Sequence, residues 1–459
     1  MYSVINKKGN HMILNIKNLG PIKKAKVDIS KNILFFVGYN NSGKTYLSQL
    51  IWGIFNEYFF EKFVQEVDVD SIINLKIIDS INTNNIEFEI LIKKYATFIE
   101  KNMHIIYKTE KKYFKDFKIE LEISDDVSGL IEKNINITFS NALNKDDIIN
   151  ISTISNNNTL EINATQFKDI ENIKRRIIHF ILLSIFEGRS FYLPSVRGAY
   201  TTFYEYIYKI EKEKKDEMDN FFLSNERDLK KLLKIVQQSK PSYTMAMNEL
   251  ISKMIELKQE NLVNEKYSNF WQNIEQLLGG EIKIHKLPLG KKELKLHIGN
   301  KTLPMYLSSS NTNQLTTLYL YFKYWIKEEE RNFLIIDEPE ENLHPKNQYL
   351  LMNLLVDFVL EGNKLLLTTH STLMAKIINN YITFAMLPKK EQEKIEQTCL
   401  KAGILKDDIE VCFFDGEQVR SYDVEEYGVL FKDFIEIEQN IEQLSNEINK
   451  RLYRINNGY

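Results

Sequence analysis

Gly38, four intervening residues and then Gly43-Lys44-Thr45 match G-x-x-x-x-G-K-[ST] within the stretch ILFFVGYNNSGKTYLSQLI. This residue pattern suits phosphate: glycines let backbone N–H groups curl around an anion, and a following helix adds its partial positive charge. Gly38, Asn40, Asn41, Ser42 and Gly43 form the loop, Lys44 reaches the β and γ phosphates, and Thr45 offers its hydroxyl to Mg²⁺. ATP and Mg²⁺ are therefore the expected ligands. A phosphate loop needs a carboxylate for the metal and another to activate water. The stretch FLIIDEPEENLHP supplies both, Asp337 for the metal and Glu338 as general base. An acidic pair after four apolar residues is common at strand ends; its pairing with Lys44 gives it chemical meaning.

A third stretch, NKLLLTTHST, ends an apolar run at His370, whose ring nitrogen is placed to donate to a γ-phosphate. His344, beside a proline in NLHP, reads as structural. Ser308, Ser309 and Ser310 open a helix whose apolar face includes Leu315, Leu318 and Phe322. Serines there are ordinary caps, and a helix start also binds anions; the residues alone leave both readings open.

These groups need strands that end in them. Ile33 to Val37, Phe333 to Ile336 and Lys364 to Leu367 read as buried strands, and Pro339 stops the second. Leu47, Leu50, Ile51, Ile54 and Phe55 fall on one helical face after the loop. Lys44 and Asp337 are separated by more than half the chain, so an insertion must leave and rejoin the head. In its first part IEFEILI, NINITFS and NTLEINA read as strands with an Asn-rich break at 156–158, giving a β-containing lobe. Residues 201–278 are charged, helical in pattern and without sustained heptads. After Gly279-Gly280, EIKIHKL and ELKLHI read as a hairpin returning to the head. In the tail Phe434, Ile437, Ile441, Leu444, Ile448, Leu452 and Ile455 recur at three- and four-residue spacing, a stripe that either covers the protein's own core or contacts another chain. The expected division is 1–55 and 281–390 for the head, 56–190 for the β-containing insertion, 191–280 for a return strand and helical insertion, and 391–459 for a C-terminal extension with an amphipathic helix.

Sixty basic and 63 acidic residues in 459 leave a net charge of −3, so no global basic field points to nucleic acid. Lys174, Arg175 and Arg176 are the short basic run to weigh for DNA, and RRIIH reads more simply as part of an amphipathic helix. Two cysteines give neither a zinc motif nor a disulfide framework. No stretch of eighteen uncharged apolar residues or apolar leader segment is read, so the expected location is cytoplasmic, with no membrane partner.

The order of phosphate loop, serine-started helix, IIDEPEENLHP and TTHS resembles the ABC-type ATPase head shared by RecF, SMC and the OLD (overcoming lysogenization defect) ATPases. LNIKNLGPIKKAKVDISKNILFFVGYNNSGKT, FYLPSVRG and DEPEENLHP are especially similar to the OLD-like branch. The resemblance implies an α/β, ABC-type P-loop ATPase head carrying a mixed α/β insertion. It further implies paired heads with ATP between them, so that Ser308 to Ser310 meet the γ-phosphate bound by a second subunit. The usual signature has a glycine after its serines, where this chain has Ser310 and Asn311. Gln166 is the candidate for the family's glutamine loop, and Arg197 for a role near it. The acidic cluster of a TOPRIM nuclease is not read after His370: Asp415, Glu417, Asp423 and Glu425 lack its strand-end arrangement. Stand-alone heads of this kind resemble the ATPase components of anti-phage systems such as PARIS and Septu, which implies a separate nuclease or toxin effector and a phage protein as trigger. A RecF-like repair ATPase clamping duplex DNA is the alternative.

Overall fold

The computed structural model describes residues 12–73, 81–82, 87–123, 137–141, 144–154, 159–163, 170–187, 189–202, 243–257, 262–286, 292–396, 400, 402–425 and 427–456. The candidate Gln166, the Asn-rich break and most of the charged segment after residue 202 lie outside them.

The elements before the return to the head are β1 (Met12–Leu19), β2 (Ile22–Asp28), β3 (Ile33–Gly38), α1 (Lys44–Ile54), α2 (Glu57–Glu66), β4 (Ile81–Asn82), α3 (Phe88–Ile106), β5 (Lys118–Ile123), β6 (Ile137–Asn141), β7 (Asn144–Ile154), β8 (Thr159–Asn163), α4 (Ile170–Ile185) and β9 (Arg189–Leu193). There follow α5 (Met245–Glu256), α6 (Ser268–Leu278), β10 (Glu281–Lys286), β11 (Lys292–Ile298), β12 (Lys301–Pro304), α7 (Ser310–Leu320), β13 (Asn332–Asp337), α8 (Pro345–Leu360), β14 (Lys364–Thr369), α9 (Thr372–Met386), α10 (Lys389–Glu396), β15 (Ile409–Phe414), β16 (Gln418–Tyr422), β17 (Val424–Glu425), β18 (Gly428–Val429) and α11 (Lys432–Asn456).

Nine strands form the main sheet in the order β5-β1-β2-β16-β15-β3-β14-β13-β9. From β15 to β9 every neighbouring pair is parallel. Such strands are covered on both faces, which explains their unbroken apolar runs. Alternate side chains divide between two cores. Leu34, Phe36, Phe333, Ile335 and Leu366 pack with α1 to α4. Ile33, Phe35, Val37, Leu334, Ile336, Leu365 and Leu367 pack with residues of α5 to α9 on the other face. The mixed α/β architecture expected from the sequence is what the chain forms.

Three local readings change. IEFEILI alternates over five residues, yet Phe88–Ile106 is a helix. Leu91, Ile92, Tyr95, Phe98, Ile99, Met103 and Ile106 are its buried positions, and this helical period outweighs the short alternation. The first insertion is also less separate than a β lobe: α2, α3 and α4 enter the core beside α1, and β5 extends the main sheet. Among the described residues β4, β8, β7 and β6 form their own sheet. Finally, residues 391–459 are not wholly an appendage, because β15 and β16 sit inside the main sheet between β3 and β2. The expected hairpin EIKIHKL/ELKLHI is present as antiparallel β10 and β11.

Candidate active site

Register brings the chemical groups to one end of the parallel core. Val37 lies beside Thr369, Thr368 beside Asp337, and Ile336 beside Leu193. This carboxyl end is where parallel α/β sheets bind ligands. The loop from β3 into α1 needs its glycines. Gly38 has φ +142°, and a Cβ there would lie 2.2 Å from the Phe414 carbonyl of β15. Gly43 has φ +97°, and its Cβ would meet the Ile22 side chain at 2.7 Å. Asn41 takes φ +59°, which asparagine tolerates better than most residues. Asn40 is exposed, and Ser42 is buried with its hydroxyl donating to the Tyr39 carbonyl.

Lys44 opens α1 with its side chain buried under the loop, Nζ donating to the carbonyls of Gly38 and Tyr39 at 3.1 and 2.8 Å. Burial lowers its pKa to about 8, and the charges of Glu338, Asp337 and Glu340 oppose that shift. Asp337, 1% exposed, accepts from Tyr192 Oη at 2.6 Å, Ser48 Oγ at 3.0 Å and Thr368 Oγ1 at 3.1 Å. Thr45 also hydrogen-bonds it. Burial raises the Asp337 carboxyl above its ordinary range, against the pull of those hydroxyls.

Glu338 leaves the strand at φ +47°, and its N–H donates to the Thr368 carbonyl at 2.9 Å. Its Oε1 lies 3.4 Å from His370 Nε2. That histidine contact is the main reason its carboxyl sits below the ordinary glutamate value, with burial opposing. Glu340 accepts from the Thr369 hydroxyl and, at 3.1 Å, from the His370 N–H, so it fixes the turn carrying His370. Its other oxygen is buried with no partner among the described residues.

Arg197 anchors the acidic turn from beneath. It is 2% exposed and donates to the carbonyls of Asp337 at 2.9 Å, Pro339 at 3.1 Å and Pro194 at 3.2 Å, with longer bonds to Gln314 and Glu338. Burial brings its pKa down to about 10, opposed by the nearby glutamates and Asp337. Gln314 joins the same turn to α7, bonding the Ser195 carbonyl and Glu341 Oε2 at 2.9 Å each. The resemblance gave Arg197 only a role near the glutamine loop. It gave none to Tyr192, although FYLPSVRG contains it.

The remaining candidates separate. His344 caps α8, its Nδ1 accepting from the Lys346 N–H at 3.2 Å, which agrees with the structural reading. Ser309 caps α7 by accepting from the Thr312 N–H at 3.2 Å. Ser308 Oγ reaches the Pro304 carbonyl at 3.4 Å, and Ser310 is exposed. These three serines lie at the start of α7, and their described hydrogen bonds are local.

The donor set fits the expected ligands. An ammonium stands at the loop, and an exposed threonine hydroxyl adjoins a buried carboxylate, the oxygen ligands that suit Mg²⁺. The phosphate loop leaving β3, flanked by acid-ended β13 and histidine-ended β14, defines an α/β ATPase head of the ABC-type P-loop class. A family model for the AAA ATPase domain matches residues 12–375, and the chain belongs to that family. Comparison with curated proteins finds no match. Among solved structures, the SMC head domain with an extended coiled coil bound to the C-terminal domain of ScpA from Pyrococcus furiosus is 15% identical, with 94% of this chain and 100% of that chain covered and a TM-score of 0.35. The SMC head domain from Thermotoga maritima is 12% identical over 91% of this chain and 99% of that one, TM-score 0.31. The recombination mediator protein RecF, solved as RecF-ATPrS in the RecFOR pathway, is 11% identical over 90% and 98%, TM-score 0.32. Likeness at this level adds nothing to the family assignment.

Proposed function

We propose that the chain is a Mg²⁺-dependent ATPase of the OLD-like group, and that nucleotide binding and hydrolysis between paired heads control a separate effector in anti-phage defence. The observation that carries the ATPase part is the convergence of Lys44, Thr45, Asp337, Glu338 and His370 at one end of the parallel core. Lys44 offsets phosphate charge, and Thr45 with Asp337 holds the metal. Mg²⁺ held there would supply charge neutralisation at the phosphate oxygens. Glu338, kept ionised by His370, takes the proton of the attacking water on its carboxylate. Glu338→Gln should keep ATP binding and slow turnover by roughly 10²- to 10⁴-fold. Unchanged turnover would remove Glu338 from this role.

Pairing follows from the resemblance and gains support from the surface around the serines. Tyr306 and Leu307, 66% and 64% exposed, adjoin Ser308 to Ser310 at the start of α7, an apolar rim suited to another protein surface. The DNA-clamping reading has less to rest on: Lys174 is buried against Asp70 at 2.6 Å, and Arg175 bonds Glu171 and the Val64 carbonyl. Purification of the full chain from its native operon, with mass spectrometry of what stays bound before and after ATP, tests the effector. A nuclease or other toxin released by turnover supports it, and retained duplex DNA overturns it.

A further inference from the structure

Away from the phosphate site, Glu57 and Glu61 stand one turn apart on α2, and His179 faces them from α4. Residues at i and i+4 share a helix face, so both carboxylates point the same way. One ligand atom from each of the three residues lies within 4.8 Å of the others. The helices run antiparallel: Arg175, near the start of α4, bonds the Val64 carbonyl toward the end of α2, which leaves His179 opposite the start of α2.

The histidine supplies the second observation. Its Nε2 is buried and has no hydrogen-bond partner among the described residues. Buried polar atoms are nearly always satisfied, so an unpartnered nitrogen on a ring within ligand distance of two carboxylates points to a bound group. An imidazole with two carboxylates at this spacing is a donor set for a first-row divalent cation, with water completing the coordination. Arg189 Nη2 lies 2.7 Å from Glu57 Oε2. A carboxylate has acceptor directions beyond the one this bond uses, so Arg189 orients Glu57 as partners of metal ligands commonly do.

We propose that Glu57, Glu61 and His179 form a divalent-cation site of the zinc class that clamps α2 to α4. It is distinct from the nucleotide site, because the 11-residue α1, roughly 16 Å at 1.5 Å per residue, lies between the phosphate loop and α2. The clamp ties the element after the phosphate-loop helix to the one leading into β9, and its effect is on stability rather than on chemistry.

The test uses the full chain stripped with chelator and titrated with Zn²⁺ by calorimetry in nucleotide-free buffer with excess Mg²⁺, which competes for Thr45 and Asp337. His285→Asn is included throughout, because His285 and His297 stack with Nε2 atoms 2.7 Å apart and are a rival zinc position. One Zn²⁺ per chain is expected, and Glu61→Gln and His179→Ala should each weaken it by at least ~10-fold. Zn²⁺ should raise the melting temperature of the parent and not of the variants, while Glu61→Gln keeps the parent's ATP turnover. Glu61 is exposed, so its variant decides the matter even if His179→Ala fails to fold. Equal Zn²⁺ affinity in parent and Glu61→Gln, or no saturable Zn²⁺ binding in the parent, would overturn the site.

Discussion

Glu338 occupies a left-handed backbone conformation, φ +47°, that costs a non-glycine residue of order 1–3 kcal/mol. It lies between Asp337 and the turn, and the conformation brings its carboxylate to His370. Lys44 gives a prediction with a defined sign. Its amine titrates near pH 8, and an anionic phosphate favours the charged form, raising the pKa in the complex. Between those two values binding must take up a proton, so ATP affinity should fall as pH rises above about 8. Calorimetry in buffers of different ionisation enthalpy measures the uptake; an affinity flat through this range would contradict the burial of Lys44. Tyr192 gives another. Its hydroxyl is 2.6 Å from Asp337, so Tyr192→Phe removes a bond that holds the carboxylate proposed to bind the metal. The Mg²⁺ concentration for half-maximal turnover should rise ~10- to 100-fold, a loss typical of groups that orient a metal ligand. An unchanged Mg²⁺ requirement would show that Ser48, Thr45 and Thr368 suffice.

The elements show what the sequence could reveal and what it could not. Gly38, Lys44, Asp337, Glu338 and His370 were legible because each sits within a few residues of the strand that carries it. Arg197 and Tyr192 act on carbonyls and carboxylates more than a hundred positions away, and no local pattern encodes that partnership. The same holds for β15, whose place beside β3 is fixed only by the assembled sheet. It also imposes a requirement on the loop, since the Phe414 carbonyl leaves no space for a Cβ at Gly38. Arg197 is the element-scale test, because it joins the turn after β9, the acidic turn after β13 and α7. Arg197→Met would leave buried carbonyls unpaired and should cost several kcal/mol, on the order of 1–3 per unsatisfied group. Arg197→Lys keeps the charge but cannot reproduce the planar fork, so it should fold and lose turnover more than ATP affinity. Denaturant titration and steady-state kinetics on the two variants separate these effects. Parent-like kcat in Arg197→Lys would reduce the arginine to a packing role.

At the scale of the whole molecule, the tail answers a choice that periodicity left open. A stripe covering the chain's own core would be buried, yet Ile441, Leu444, Ile448 and Leu452 are 64%, 63%, 49% and 51% exposed along α11. The side chains of Phe434, Ile437 and Ile455 lie outside the described residues. A 25-residue helix is about 37 Å long at 1.5 Å per residue, enough for three heptads of a two-stranded seam. These side chains are already about half covered, so a second helix laid on this face would gain roughly half of the 1.5–3 kcal/mol of a full burial for each. Arg451 and Glu447, joined at 3.0 Å, flank the stripe as charged neighbours of a seam do. We therefore propose α11 as the contact with a second copy or with the effector. Replacing Leu444 and Ile448 by Glu should leave ATP binding by the isolated chain intact, because α11 contributes none of the site's groups. It should lower the mass found by light scattering or strip the effector from the purified complex. If mass and bound partners both match the parent, α11 is not the contact, and the apolar rim at Tyr306 and Leu307 becomes the surface to alter next.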